Sequence, residues 1–373
     1  MKSVAIVTSI KPSPINAGGL PSGLIWEIIE LLKENGIKCD IYIYPENKEI
    51  RIKKILNRYG FYLKQCKLNF DKYDKIIAYR GNIGLFVPFK YRKKIIAIGP
   101  DSVSITEARL YKETRCIIRK IIKGVYYQLA RFYEYRILRD VESYLVVGNT
   151  DKRWMKRNFL IKGNDKLEKK INFIRHPILK NVIFKELNFD LTNIKKKRFV
   201  FSGDFDERFN RKFLMDIFNF LTENIKLDNK MSFIIIGKNN KWIFNELNKM
   251  GKFDVEYTEW IDDYKDVCMI GKDVHCLPML VGAGTKNRTL IALGNGLEII
   301  TTPIGIENIP YKNLTSIYIT RKAKTFAKYM MMLNNKYLDE KELNHLIVER
   351  LNFRKLIENE YIKDINKTII NKI

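Results

Sequence analysis

Lys286 and Arg288 open a helix-forming run that follows the glycines of Gly282-Ala283-Gly284. Cations are unfavourable at a helix N-terminus, where unpaired N–H groups already carry partial positive charge, unless an anion sits among them. Glycine lets the backbone approach a ligand closely, because it has no Cβ and tolerates positive φ. Thr285, Lys286, Asn287 and Arg288 in this order therefore predict a bound phosphate at the helix start. Lys286 is the first candidate for neutralising it, with Arg288 beside it.

The surrounding sequence supplies elements to hold such a turn. A short strand ends at Pro278, and a buried strand, Glu298 to Thr302, follows the helix. Earlier, Ser3 to Ser9 reads as a strand buried on both faces, the loop Lys11 to Ser22 follows, and a helix runs from Gly23 to Asn35 with Leu24, Ile28, Leu31 and Leu32 on one face. With a strand from Cys39 to Tyr44 this is a βαβ opening. Further strands are read at 73–79, 94–98 and 144–147, and in the second half at 199–202, 232–236 (closed by Gly237) and 255–257, with a helix at 210–224. Strand–helix–strand order repeated in both halves predicts doubly wound parallel sheets. Ligands of such sheets bind beyond the carboxyl ends of strands, which makes Asp101 and Ser102, after the strand at 94–98, candidates for a ligand contact. Asp101 capping the next helix is the competing reading.

Composition narrows the class. A chain of 373 residues, 46% hydrophobic, is globular and best divided into two domains. No apolar run reaches the roughly 18 residues of a membrane span. The start, MKSVAIVTSIKPS, reads as a first strand and not as a signal peptide. The five cysteines are odd in number and lack a CxxC spacing, which predicts buried thiols in a reducing cytoplasm. The three histidines, 176, 275 and 345, are too scattered for a zinc site or a triad. Net charge is +26, and residues 1–175 hold 36 Lys and Arg against 17 Asp and Glu, a net of +19. Such a field favours a polyanion or an anionic membrane surface; a solvated, lysine-rich surface is the plainer alternative. The stretch Glu107 to Asp140 predicts one helix with a basic and aromatic face: Arg109, Lys112, Arg115, Arg119, Lys120 and Lys123, then Tyr126, Tyr127, Phe132, Tyr133 and Tyr135. That pattern fits interfacial membrane contact, packing into the domain, or RNA binding.

The run P-x3-GAGTKNR-x3-AL-x2-G-x5-T-P-x-G-x-E, Pro278 to Glu307, resembles the donor-binding segment of family-4-like GT-B glycosyltransferases of bacterial surface-polysaccharide synthesis. The order of elements extends the resemblance over nearly the whole chain. It implies an α/β GT-B fold of two Rossmann-like domains facing across a cleft: an acceptor domain (1–175), a donor domain (176–345) entered at His176-Pro177, and a C-terminal helical segment (346–373) that crosses back to the first domain. It also implies a nucleotide-sugar donor, no cofactor and no metal, and a lipid-linked saccharide acceptor at the anionic inner leaflet, with the enzyme cytoplasmic and peripheral. Charge is the one argument for nucleic acid, which this reading sets aside.

By the same resemblance the donor site takes in Gly18, Gly19, Arg208, Arg211, Gly237, Trp260, Ile261, Gly282, Gly284, Thr285, Lys286, Asn287 and Glu307, and the acceptor site Asp101 and Ser102. Asp204-Phe205-Asp206 spells a DxD, yet it follows a buried strand of a metal-independent fold and reads as a loop or cap. Relatives carry a glutamate in the helix for the donor ribose, often with another eight residues earlier. Ile291 and Ala283 hold those positions here, and Glu307 is the nearest replacement. This departure motivates the rival reading, a non-catalytic GT-B-like partner subunit.

Overall fold

The computed structural model describes residues 2–13, 20–44, 59, 68–178, 197–203, 205, 208–226, 230–261 and 264–373, with the side chains of 20–22, 208–210 and 264–265 set aside. Gly18, Gly19, Asp204 and Asp206 lie outside the described residues, as does the side chain of Arg208. The chain divides into two compact units: 1–179 with 283–285 and 357–373, and 180–282 with 286–356.

The first unit holds six parallel strands: β1 (Ser3–Thr8), β2 (Lys38–Ile43), β3 (Lys75–Tyr79), β4 (Ile95–Ile98), β5 (Ser143–Val146) and β6 (Ile171–Phe173), in the order β2-β1-β3-β4-β5-β6. Side chains alternate across a strand, so a central strand covered on both faces must be apolar throughout. Ala5, Val7, Ile76, Ala78, Ile95 and Ala97 enter one core. Their neighbours Val4, Ile6, Ile77, Tyr79, Ile96 and Ile98 enter the other, with Leu24, Ile28 and Leu32 of α1 (Leu20–Glu34).

The predicted helix over 107–140 is two helices, α2 (Val103–Glu113) and α3 (Ile117–Asp140). Thr114 turns extended, its backbone N–H still bonded to the Leu110 carbonyl and its Oγ1 donating to the same oxygen at 2.7 Å. Cys116 is extended as well. Neither residue is a strong breaker, so the sequence gives little warning of the break. Of the three readings of its basic and aromatic face, packing into the domain holds for much of the aromatic part: Tyr133 is buried, and Tyr126 and Tyr135 pack against the core. Cys116 is exposed, against the expectation of buried thiols. After β5 comes α4 (Asn149–Lys156).

The second unit holds β7 (Arg198–Ser202), β8 (Met231–Ile236), β9 (Phe253–Thr258), β10 (Asp273–Leu277), β11 (Glu298–Thr301) and β12 (Ile317–Ile319), all parallel, in the order β12-β11-β10-β7-β8-β9. Its helices are α5 (Arg208–Asn224), α6 (Lys241–Met250), α7 (Asn287–Gly294), α8 (Ala323–Asn334) and the start of α9 (Glu340–Thr368), whose residues from 357 onward belong to the first unit. The core is rich in phenylalanine: Phe233 meets Phe253 edge-on at 4.9 Å, and Phe201 meets Phe218 edge-on at 5.6 Å. At the starts of β7 and β11 lies an ion pair of two fully buried groups, Lys197 Nζ on Glu298 Oε2. Arg350 is also buried, donates to the Thr315 carbonyl at 2.8 Å, and is pushed down to about 10 by burial.

Two stability predictions follow from these buried charges. Removing one partner of a buried pair leaves the other unpaired, at about 3–5 kcal/mol. Lys197→Met should therefore lower the melting temperature sharply, and Lys197→Met with Glu298→Leu should recover most of the loss in calorimetry; an undisturbed single variant would contradict the buried pair. His176 is buried, with Nδ1 bonded to the Pro177 carbonyl at 2.7 Å, and burial lowers its pKa from 6.5 to about 4. Between those values the unfolded chain binds a proton the folded chain refuses, so stability falls as pH drops through that window. His176→Asn should flatten a denaturation-versus-pH curve there by up to about 3 kcal/mol; a curve unchanged by the substitution would place the loss on other groups.

Candidate functional site

The strand order of the second unit reverses its winding between β10 and β7. Crevices of open parallel sheets form outside the carboxyl ends of the strands at such a reversal. The segments leaving those two strands, Gly203 onward and Pro278 to Arg288, are the ones the motif reading singled out.

At the end of β7 the chain makes a close crossing with the end of β8. Gly203 N–H donates to the Ile236 carbonyl at 2.9 Å and Gly237 N–H to Thr258 at 2.9 Å. Gly237 has φ 131°, and a Cβ there would lie 1.8 Å from the Gly203 carbonyl oxygen. Only glycine fits. Arg288 Nη1 donates to the Ser202 carbonyl at 2.6 Å, and a Cβ at Gly203 would meet that same nitrogen at 2.9 Å. The Arg288 charge is thus fixed at the carboxyl end of β7.

Lys286 is the N-cap residue of α7 and is only 7% exposed. Its Cε and Nζ would lie 3.1 and 3.4 Å from a Cβ placed on Gly282, whose φ is 148°. The lysine folds back over a glycine that leaves it room. Asn287, the first residue of α7, keeps a buried Oδ1 with no hydrogen-bond partner among the described residues. The helix is held in place by Thr289, whose Oγ1 donates to the Gly305 carbonyl at 2.6 Å. Gly305 N–H donates in turn to Thr302 Oγ1 at 3.1 Å, and Thr302 bonds the Met279 carbonyl. Glu307 stands in this pinned loop, partly buried. Ile291 and Ala283 are both buried and apolar.

Other residues named from sequence are placed as follows. Trp260 and Ile261 follow β9, the edge strand, with Trp260 61% exposed and its carbonyl taking a 2.7 Å bond from Thr258. Arg211, on α5, stacks over Trp242 at 4.4 Å, and Trp242 Nε1 donates to the Phe205 carbonyl at 3.0 Å. This brings Arg211 to the loop after β7.

Gly284 and Thr285 group with the first unit. There Gly284 N–H donates to both carboxylate oxygens of Asp151 at 3.1 Å, and Thr285 Oγ1 to the Val147 carbonyl at 2.5 Å. Gly284 has φ 65°, and a Cβ on it would stand 1.7 Å from Asp101 Oδ1. Asp101 is exposed at the end of β4, as predicted, but it is not the helix cap. Ser102 is that cap, accepting from Ile105 N–H at 3.3 Å. It is fully buried, and its hydroxyl donates to Glu134 Oε1 at 2.7 Å.

Sequence reasoning missed the network beneath. Glu134, fully buried on α3, also takes bonds from Ser104 N–H at 3.0 Å and Ser104 Oγ at 2.6 Å, while Trp154 Nε1 donates to Ser104 Oγ at 3.0 Å. Burial raises the Glu134 pKa, and the Ser104 and Ser102 bonds oppose that rise. Asp151 Oδ1 accepts the Ser102 N–H at 2.9 Å. These residues fix the start of α2 behind Asp101. Arg80, directly after β3, takes φ 67°, rare for a side chain of that size. Burial raises the neighbouring Tyr79 hydroxyl most, Asp101 raises it further, and Arg80 opposes the rise. Only backbone geometry could have revealed the Arg80 conformation.

Comparison with known proteins gives the class. Residues 196–335 match the model of the family "Glycosyl transferases group 1". No curated protein matches the chain. Among solved structures, sucrose-phosphate synthase of Thermosynechococcus elongatus is similar over 100% of this chain and 97% of its own, at 10% identity and a TM-score of 0.65. WaaG, a glycosyltransferase of lipopolysaccharide biosynthesis, covers 97% and 98% at 9% identity and 0.60. Anabaena HepE, solved with UDP and glucose, covers 100% and 99% at 10% identity and 0.59. At such identities the structural likeness establishes the fold, two Rossmann-like parallel-sheet units of GT-B type. With the group 1 segment in the second unit, it supports a glycosyltransferase.

The glycine crossing yields a sharp comparison. Gly251, the residue after α6, has φ 68° and nothing among the described residues within 4 Å of a Cβ, whereas Gly237 meets backbone at 1.8 Å. Gly251→Ala should cost about 1–2 kcal/mol. Gly237→Ala should cost clearly more, about 3 kcal/mol or above, since backbone must also move. Equal losses in urea titrations would mean that β7 and β8 do not cross this closely.

Proposed function

We propose that the chain transfers a sugar from a nucleotide-sugar donor to a lipid-linked saccharide acceptor in bacterial surface-polysaccharide synthesis, with retention at the anomeric carbon. The observation that carries this is the buried Lys286 folded over Gly282 at the N-terminus of α7, in the unit whose sequence matches group 1 glycosyltransferases. HepE, solved with UDP-glucose, and WaaG, of lipopolysaccharide biosynthesis, lend support by analogy.

In this reading the donor diphosphate lies against the α7 N-terminus. As the bond from the anomeric carbon to the diphosphate oxygen breaks, charge develops on that oxygen, and pre-oriented positive groups stabilise it without reorganising. Lys286 and the α7 amides supply that stabilisation, and Arg288, fixed at the end of β7, adds a second cation. The acceptor oxygen bonds the same carbon, and its proton passes to a leaving-phosphate oxygen. No histidine occurs in residues 1–175, so the acceptor domain offers no imidazole base. Arg211, Gly282 and Asn287 complete the phosphate side, and Trp260 and Ile261 the base side. Glu307 takes the ribose. Asp101, backed by Ser102 and Glu134, faces the acceptor. The enzyme works in the cytoplasm, peripheral to the inner leaflet.

One observation favours a second reading. Ile291 and Ala283 are buried apolar residues where the resemblance places ribose-binding glutamates, and a partner subunit without donor binding would tolerate both. Thermal unfolding with UDP, GDP, CDP and ADP separates the two. A nucleotide at about 100 times its dissociation constant stabilises the fold by roughly 2.7 kcal/mol. The transferase reading predicts that one nucleotide shifts the wild type and that Lys286→Ala abolishes most of the shift. No shift with any of the four would favour the partner subunit.

A further inference from the structure

The first two turns of α3 have an exposed aliphatic face. Ile117, Ile118, Ile121, Ile122 and Val125 are 76, 71, 63, 45 and 53% exposed. At 100° per residue they fall within an arc of about 140°. Arg119 lies at the edge of the aliphatic arc, beside Ile122, and Lys120 and Lys123 fall on the opposite arc. That arc is engaged by α2: Lys120 Nζ lies over the Tyr111 ring at 5.3 Å, and Lys123 Nζ is 3.8 Å from the buried Glu107 carboxylate. The five aliphatic side chains are thus turned away from the neighbouring helix. The first residue of α3 to be fully buried is Ala130. A face of five adjacent β-branched aliphatics in water is costly, at about 25 cal/mol per Å² left exposed, unless something apolar covers it.

Charge selects the occupant. Residues 109–125 hold six basic side chains and one acidic one. A second copy would bring the same cations to the same place and be repelled, whereas an anionic lipid surface attracts the cations and takes up the isoleucines. No helix among the described residues is long and apolar enough to cross a membrane, so such contact lies in the interface.

We propose that the α2–α3 turn and the Ile117–Val125 face of α3 form a membrane-insertion element, the isoleucines entering below anionic headgroups and Arg115 and Arg119 binding the phosphates. This rests on the lipid-linked acceptor proposed above and names the surface that brings the enzyme to it. The insertion is carried by aliphatic residues, whereas most of the neighbouring tyrosines serve the core.

The test is co-sedimentation of the full chain with phosphatidylglycerol–phosphatidylethanolamine vesicles, beside phosphatidylcholine vesicles. Ile118→Gln with Ile121→Gln and Ile122→Gln changes only exposed residues and should weaken binding to anionic vesicles by on the order of tenfold or more. Arg115→Gln and Arg119→Gln should each weaken it roughly fivefold. Wild type should keep part of its binding at high salt, which screens charge but not burial, and the isoleucine variant should not. A polarity-sensitive dye on the exposed Cys116, with the other cysteines replaced by serine or alanine, should shift to the blue with anionic vesicles. Equal binding by wild type and the isoleucine variant overturns insertion. So does a wild type that ignores vesicles, whether the face proves to bind RNA or to dimerise. Nucleotide-induced stabilisation, measured on the same preparations, is independent of this face: stabilisation without vesicle binding rejects the element and leaves the transferase reading standing, and vesicle binding without stabilisation does the reverse.

Discussion

Positive charge gathered at one end of a parallel sheet is the constraint around which the second unit is arranged. The N-terminal amides of α7, the Lys286 ammonium and the Arg288 guanidinium lie within one turn of chain. Like charges at that spacing repel, and burying an ammonium adds a desolvation penalty. An anion relieves both terms. The glycines around it serve close packing: Gly282 leaves space for the lysine to fold back, Gly203 leaves space for the Arg288 guanidinium, and Gly237 lets its backbone pass the Gly203 carbonyl. Thr289 and Thr302, bonded to loop carbonyls, keep α7 and the loop after β11 in register with the strands.

The first unit solves a different problem with different chemistry. Its exposed carboxylate, Asp101, is backed by buried groups: Ser102, Ser104, Glu134, Trp154 and Asp151 satisfy one another. A fully satisfied buried network is rigid, and a half-satisfied one is costly. The strain at Arg80 belongs with this end of the sheet, where a sparsely populated backbone conformation persists only if the surroundings hold it. Fold alone assigns neither unit a reaction. The assignment rests on residues at strand ends and on the group 1 segment.

Much of this was legible in the sequence, for identifiable reasons. Parallel strands buried on both faces read as unbroken β-branched runs, so SVAIVT, KIIAY, IIAI and SFIII were found within a residue or two, and with them the doubly wound class. The GAGTKNR turn was legible because glycine and cations before a helix are an unusual combination. What was missed depends on partners distant in sequence. Ser102 rather than Asp101 caps α2 because Glu134, thirty-two residues on, fixes its hydroxyl. The break at Thr114 lacks glycine and proline, and whether the aromatics of α3 pack into the domain stayed open because a helix presents two faces and sequence does not say which one the domain covers. The isoleucines at its start show the converse: apolar residues at helical spacing resemble a core stripe until their exposure is known.

The measurement that bears most directly on the donor site is a crystal structure with the nucleoside diphosphate that stabilises the chain best. The diphosphate should lie at the α7 N-terminus, with its oxygens within hydrogen-bonding distance of Lys286 Nζ and the first amides of α7, and the nucleoside should run past Gly203 and Gly237. A nucleotide bound elsewhere, or an α7 N-terminus that stays unengaged in a nucleotide-saturated crystal, would contradict the phosphate site from which the function has been read.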